Sequence, residues 1–391
     1  EAKFNIEGTT ATATLTENVT SASYCTTTGN ICTPSTSATI SDNSYTVELE
    51  ELEQPQVVCT QLNGTSKIIC SNGLIATKRA GDQILANYPT KTTRSSFTTT
   101  VTASSTGTIY YADTSKGRTY YFAGNPTDNW VSFAGFYWRI IRINEDGSIR
   151  LIYNGTGTGT TGTSTQLQTS AFNYTYGDNT YVGYMMGLDN QCTSGRCEGS
   201  SHTSSYSQSV SNRYDSTIKI ELDQWYEENL QSHADKISTE AGFCGDRTYV
   251  SGNAYGTSVT YYGASDRLLT NKTPSFECTN TADLYTVSSA NSGNKVLDYP
   301  IGLITADEVA YAGGVWESSN NGYYLYTNQY YWTMSPYLFN GGSAYVFDVN
   351  SDGSLNDYYV TSARGVRPVI NLSPNVTITG EGTSSNPYVV S

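Results

Sequence analysis

Residues 323–372 read YYLYTNQYYWTMSPYLFNGGSAYVFDVNSDGSLNDYYVTSARGVRPVINL. This stretch decides the fold because it joins two characters in one run. Tyr331-Trp332 and Val366-Arg367-Pro368-Val369-Ile370 are apolar or stiff, as strands crossing a core should be. Between them, residues 337–364 are dominated by Tyr, Asn, Asp, Ser and Gly, the mixture that paratopes use. Tyr gives large amphipathic contact area at low rotamer entropy, and Ser, Asn and Gly give adaptable hydrogen bonding. The expectation is a scaffold carrying a display surface. Strand alternation through Ser343–Phe347 turns Ala344 and Val346 inward and Ser343, Tyr345 and Phe347 outward. Tyr345, Tyr358 and Tyr359 are the expected anchors, because aromatic side chains dominate contact energies. Asp348, Asn350, Asn356, Asp357 and Arg364 would supply polar specificity. Tyr337, Asn340, Ser343, Phe347 and Ser362 complete the candidate ligand-binding set. The plainer alternative is that a chain with 33 tyrosines is Tyr-rich everywhere, and that the window is only an accentuated surface.

Working outward, FYWRIIRIN and SIRLIY flank Glu145-Asp146-Gly147, and Asp-Gly is a hairpin turn signal. Trp138, Ile140, Ile141, Ile149, Leu151 and Ile152 are the expected core of that hairpin. Asp215-Ser216 should cap a helix with Ile218, Leu222 and Trp225 on one face. Thr305-Ala-Asp-Glu308 is a capping box, and Gly313-Gly314 should stop the helix it opens. A short helix fits 78–90 before Pro89. YVGYMMGL (181–188) reads as a buried strand, and the terminal YVV as a last one. Residues 1–75 read as a small all-β unit. Its Thr-rich ATATLT (11–16) looks like an exposed or pairing edge.

The segments YYWTMSP, GVRPVINLSP and IGLITADEVAYAGG, with the stretch from GTIYYADTSKGRTYYFAGN through SIRLIYNGT, resemble a family of bacterial surface domains. That family is similar in layout to the C-type-lectin-like fold, shared by formylglycine-generating enzymes and by retroelement-diversified receptor-binding proteins. The resemblance implies an α+β chain: a C-type-lectin-like domain over 76–374, preceded by a small disulfide-bonded β domain (1–75) and followed by a tail strand (375–391). In the diversified proteins, mutagenesis of Asn codons leaves Tyr, Ser, Asp and Asn on a fixed scaffold near the C-terminus. The resemblance therefore implies extracellular ligand binding through 337–364. The enzymes' reactive cysteine pair lies near the C-terminus, whereas the last cysteine here is Cys278, so their activity does not carry over and no catalysis is expected.

Composition narrows the partners. With 14% charged residues and a net charge of −14, the 391-residue chain lacks the Lys and Arg clusters that nucleic acid or an anionic membrane would demand. No apolar run of about eighteen residues is present, so no membrane span is expected. A start at Glu1 rather than Met is consistent with removal of a leader or anchor. Eight cysteines in a Thr-, Ser- and Tyr-rich chain imply an oxidising, extracellular setting. The local pairs are Cys25 with Cys32, Cys59 with Cys70, Cys192 with Cys197, and Cys244 with Cys278. For the second, a four-residue loop at 63–66 sets Cys59 opposite Cys70, within disulfide reach. Zinc is disfavoured, since no Cys-x2-Cys pair occurs and the chain has only two histidines, His202 and His233.

Asp348-x-Asn350-x-Asp352-Gly353 matches half of a calcium loop, but Tyr359 occupies the twelfth position where a bidentate carboxylate belongs, so a β-turn is the expectation. Neither cofactor nor metal is expected. His202 and His233 sit in contexts that favour solvated over catalytic roles. The leading reading is a cell-surface or secreted bacterial binding protein whose partner is a protein or glycan on another cell, phage or host surface. Residues 1–75 offer a route to homo-oligomers. Two alternatives are a structural subunit of a surface filament or pilus and a secreted carbohydrate-active enzyme, which would need two convergent carboxylates in a cleft.

Overall fold

In the computed structural model the described residues are 78–187, 205–250, 255, 259–278, 280–288 and 293–391, together with the backbone of the strands that lie between Ala2 and Lys78. Those early strands pair among themselves. Ala2–Glu7, Thr10–Leu15 and Ser44–Glu48 form an antiparallel sheet with Thr10–Leu15 in the middle. This corrects the expected edge: ladder partners on both flanks satisfy the backbone of that Thr-rich strand, leaving no open side for another copy to join. A five-stranded sheet runs Ile31–Ala38, Val19–Thr28, Ile75–Lys78, Lys67–Cys70, Cys59–Gln61. In it Cys59 stands opposite Cys70, the register the hairpin arithmetic requires. Cys25 stands opposite Pro34 and Cys32 opposite Thr27. The side chains of these four cysteines lie outside the described residues, as do Cys192, Cys197 and His202 entirely.

From Ala80 onward the main elements are α1 (Ala80–Leu85), β1 (Thr108–Thr114), β2 (Gly117–Tyr121), β3 (Trp130–Phe133), β4 (Phe136–Ile143), β5 (Ile149–Tyr153), α2 (Thr217–Asn229), β6 (Val259–Tyr261), α3 (Ala306–Ala312), β7 (Tyr331–Asn340), β8 (Ala344–Val349), β9 (Leu355–Tyr359), β10 (Val369–Leu372) and β11 (Tyr388–Val390). The class is α+β and rich in sheet. The larger sheet runs Ile301–Gly302, β10, β5, β4, β2, β1, Thr90–Thr92. The β4–β5 hairpin turns at Gly147, whose φ of 82° is the left-handed conformation that glycine tolerates. All six expected hairpin core residues are buried. A register shift between Ile140 and Arg142 lets the adjacent Ile140 and Ile141 both bury. β10 pairs antiparallel with β5, so the two segments most alike in character, FYWRIIRIN…SIRLIY and VRPVINL, are neighbours in space. Arg367 of that motif is fully buried and donates to the Tyr153 carbonyl at 3.0 Å and to Asn154 Oδ1 at 3.1 Å.

The short helix expected within 78–90 forms as α1, and the two capped helices form as their caps dictate. Ser216 Oγ accepts from the Lys219 amide, Ile218 and Leu222 are buried, and Trp225 packs against Phe136 and Tyr153. Thr305 and Glu308 complete a reciprocal capping box, and Gly313 closes α3 at φ 116°. The YVGYMMGL segment departs from expectation. Asp178 accepts from the Thr180 amide and winds Asn179–Val182 into a 3-10 turn, leaving only Met185–Met186 as strand, although all of these residues are buried. The terminal strand β11 pairs in parallel with β3 and antiparallel with Ile378–Thr379, so the tail is knitted into the larger sheet.

The first turn of α3 is an ionic joint. Glu308 Oε1 lies 2.9 Å from Arg142 Nε and 2.6 Å from Arg150 Nε, linking the helix to β4 and β5. Asp307 holds Arg267 at 2.7 Å, and Arg267 also pairs with Asp246. Beside this joint, Cys244 and Cys278 form a disulfide bond.

Candidate functional site

The second sheet runs Thr169–Ser170, Arg364–Gly365, β7, β8, β9, with β6 paired to the far end of β7. Registers align a row across four strands: Tyr261 opposite Leu338, Leu338 opposite Tyr345, and Tyr345 opposite Tyr359. Directly opposed residues share a face, so this row is one surface. One extra residue in β7 between Pro336 and Leu338, against Val346 and Tyr345 of β8, is a bulge at Tyr337. It brings the Tyr337 ring onto the same surface, 5.0 Å from Phe347.

Tyr345 and Tyr359 rings lie 4.4 Å apart, with Tyr359 exposed. Asn340 is exposed and works on the hairpin. Its Oδ1 accepts from the Gly342 and Ser343 amides and its Nδ2 donates to the Tyr345 hydroxyl at 3.1 Å. Asn356 Oδ1 accepts from the Asp357 amide. Ser362 lies in a turn, its amide bonded to the Tyr359 carbonyl. Asn350 lies in the turn between β8 and β9.

Two expected contact residues are corrected. Phe347 faces the surface side, as alternation requires, but it is fully buried beneath its neighbours Trp316 and Tyr337. It is the floor of the surface rather than a contact. Asp348 is fully buried on the opposite face, with Oδ2 on Arg364 Nε at 2.8 Å. Burial pushes its carboxyl up to about 6 against the pull of Arg364. The Arg364 guanidinium in turn lies over the rings of Tyr358 (3.8 Å) and Tyr330 (4.5 Å). Tyr358, adjacent to Tyr359 on β9, starts from that opposite face. The anchors therefore divide: Tyr345 and Tyr359 on one side, Tyr358 with Arg364 around the edge.

Trp316 and Glu317 were missed because they lie far upstream, in the GGVWESS segment after α3. A parallel bridge from Trp316 to Leu355, with the Glu317 amide donating to the Leu355 carbonyl at 2.9 Å, lays them beside β9. The Trp316 ring packs 5.1 Å from Tyr337. Glu317 is exposed and has φ 51°, an uncommon left-handed conformation for a residue with a side chain. Tyr261 of β6 was missed for the same reason: only long-range pairing brings it to the row.

The β8–β9 connection forms a turn. The Gly353 amide donates to the Asn350 carbonyl, and Asp352 Oδ1 accepts from the Ser354 amide at 3.0 Å and its hydroxyl at 2.7 Å. Asp146 and Ser148 make the same pair of bonds at 2.9 and 2.6 Å, so Asn-x-Asp-Gly-Ser is one turn used twice. Asp348 is engaged by Arg364 on the buried side, while Asp352 caps the turn. Gly353 has φ 80°, and a Cβ there would lie 2.0 Å from the Asn320 carbonyl oxygen. Gly353→Ala is expected to cost about 2 kcal/mol or more in chemical denaturation and to disturb the Trp316 loop.

The acid-rich crevice at the α3 joint has a volume of about 50 Å³, space for water rather than a sugar. Its Asp246, Asp307 and Glu308 are tied to arginines. In the second sheet, Asp357 lies opposite Phe347 and so projects from the other face than Asp348. His233 packs edge-on against Phe133.

No family model, curated protein or solved structure matches this chain.

Proposed function

We propose that this chain is an extracellular, non-catalytic ligand-binding protein with a C-type-lectin-like domain, and that its outer sheet face is the binding surface. The observation that carries the reading is the row Tyr261–Leu338–Tyr345–Tyr359. Aromatic residues in that row expose large area on rigid, paired strands, which is how low-entropy contact surfaces are built. The disulfide between Cys244 and Cys278 is compatible with an oxidising compartment, and among the described residues no helix is long and apolar enough to cross a membrane.

The test is binding of the labelled protein to a panel of bacterial and host cells. Tyr345→Ala and Tyr359→Ala should each weaken binding about tenfold or more while leaving thermal unfolding nearly unchanged. Unaltered binding by both variants overturns the reading. Diversification is tested separately by sequencing sibling copies of the locus. Substitutions should concentrate in codons 337–364 at face positions such as 345 and 359, and spare Phe347 and Asp348.

A further inference from the structure

Between the ring pair Trp316–Tyr337 and the ring pair Tyr345–Tyr359 stands the carboxylate of Asp357. Its cross-strand partner Phe347 forms the floor, and Tyr359 follows two residues later on the same side of β9. Asp357 is only partly exposed, and no hydrogen bond or cation among the described residues acts on its carboxylate. Arg364, on the sheet edge, is committed to Asp348 on the opposite face. Burial pushes the Asp357 carboxyl up to about 7, and the charges that reach it, from Asp348 and then Glu317, push in the same direction. A folded chain that holds an uncompensated carboxylate among aromatic rings has built half of an interaction. Ring faces and a carboxylate both attract a cation, and a site that is partly desolvated strengthens that attraction.

We propose that this basin takes a basic side chain, arginine or lysine, from a protein partner, its charge meeting Asp357 and its stem lying on the Trp316–Tyr337 and Tyr345–Tyr359 rings. This rests on the display-face reading and gives it a ligand class. Glu317, exposed at the rim, adds to the negative potential, as does the chain's net charge of −14. The other titratable groups facing Asp357 are phenols. Tyr337 is pushed up to about 12 by burial and then by Asp357, and Tyr345 is also raised, so both stay neutral through physiological pH. Asp357 is therefore the group whose ionisation sets the affinity.

The experiment uses the whole chain and an immobilised synthetic pentapeptide, acetyl-Gly-Ser-Arg-Ser-Gly-amide, with its citrulline counterpart and a neutral maltotriose surface as contrasts. The arginine peptide should bind about tenfold or more tighter than the citrulline peptide, and Asp357→Asn should abolish that difference. Raising salt from about 0.05 to 0.5 M should weaken wild-type binding. Raising pH from about 6 to 8 should strengthen it several-fold as Asp357 ionises, and the Asn variant should show no such rise. Glu317→Gln, at an exposed position, should weaken binding only a few-fold and serves as the second variant. Equal binding of arginine and citrulline peptides, or indifference to Asp357→Asn, overturns the proposal, as does absence of binding to the arginine peptide. Binding of maltotriose alone, lost in Tyr345→Ala and Tyr359→Ala, overturns the cationic ligand and leaves the display face standing. Silence of every probe, together with cell binding that ignores both tyrosine variants, overturns both.

Discussion

Glu308→Ala should lower the unfolding free energy by about 3–5 kcal/mol, the loss typical of breaking a buried ion pair from one side. Its carboxylate and the Arg150 side chain are almost wholly buried, and Arg142 joins them from β4. Removing the carboxylate leaves the buried Arg150 charge with only the Gly242 and Leu303 carbonyls, and it also opens the capping box, whose Glu308 Oε2 accepts from the Thr305 amide at 3.0 Å. Glu308→Gln separates the effects, since the amide oxygen still caps the helix while the arginines lose their charge partner. Burial would raise the Glu308 carboxyl, but Arg150 and then Arg142 outweigh it and hold it below the usual range. A lowered folded value means this stabilisation is present above the unfolded carboxylate value, about pH 4.3, and is lost as pH falls through the folded one. The gap between wild type and Glu308→Ala should thus narrow in acid denaturation below about pH 4. Because α3 delivers the chain to Trp316, loss of the joint should also weaken binding at the outer face.

Arg247→Ala is the second large effect, again about 3–5 kcal/mol by denaturant titration. Arg247 and Asp283 are both buried, with Nε on Oδ1 at 2.8 Å and the Arg247 amide on Oδ2 at 2.7 Å. The rest of the guanidinium reaches the Met185 carbonyl at 2.7 Å and Asn212 Oδ1 at 2.6 Å. One planar fork therefore fastens three loops, and truncation leaves the buried Asp283 carboxyl with the backbone amide of residue 247 but without its guanidinium partner. Arg247→Lys should recover only part of the loss, since an ammonium cannot span the same acceptors.

Asp357 behaves oppositely to Glu308. Its raised carboxyl binds a proton more tightly folded than unfolded, so its contribution to stability falls as pH rises from about 4 to about 7. Asp357→Asn should accordingly unfold no earlier than wild type at pH 8 even as it loses the basic ligand. A residue that costs stability where it stands is the kind selected for contact rather than for folding.

Much of the scaffold was legible in local signals. Asp146-Gly147 named its hairpin, and Ser216 and the Thr305–Glu308 box named their helices, because caps and turns are satisfied within a few residues of chain. The contrast between stiff ends and a Tyr-rich middle in 323–372 marked the second sheet. Alternation also placed Phe347 on the correct side, but it does not report what covers a side chain once it is there. Trp316 buries Phe347 from a segment about thirty residues upstream, and Arg364 draws Asp348 into the interior. The bulge at Tyr337 broke the period-two pattern where the surface is richest. In Thr10–Leu15 the composition of an edge was real, and pairing on both sides overrode it.

The sequence by itself determined the local elements of this protein and the presence of a polar, aromatic window framed by strands, since periodicity, capping and turn chemistry act over a single element. The tertiary structure alone decided which members of that window share a face, which are sealed beneath it, and that Trp316, Glu317 and Tyr261 complete it. Those outcomes follow from strand register and from burial against distant segments, and a residue's type carries no record of the neighbour that long-range pairing will bring.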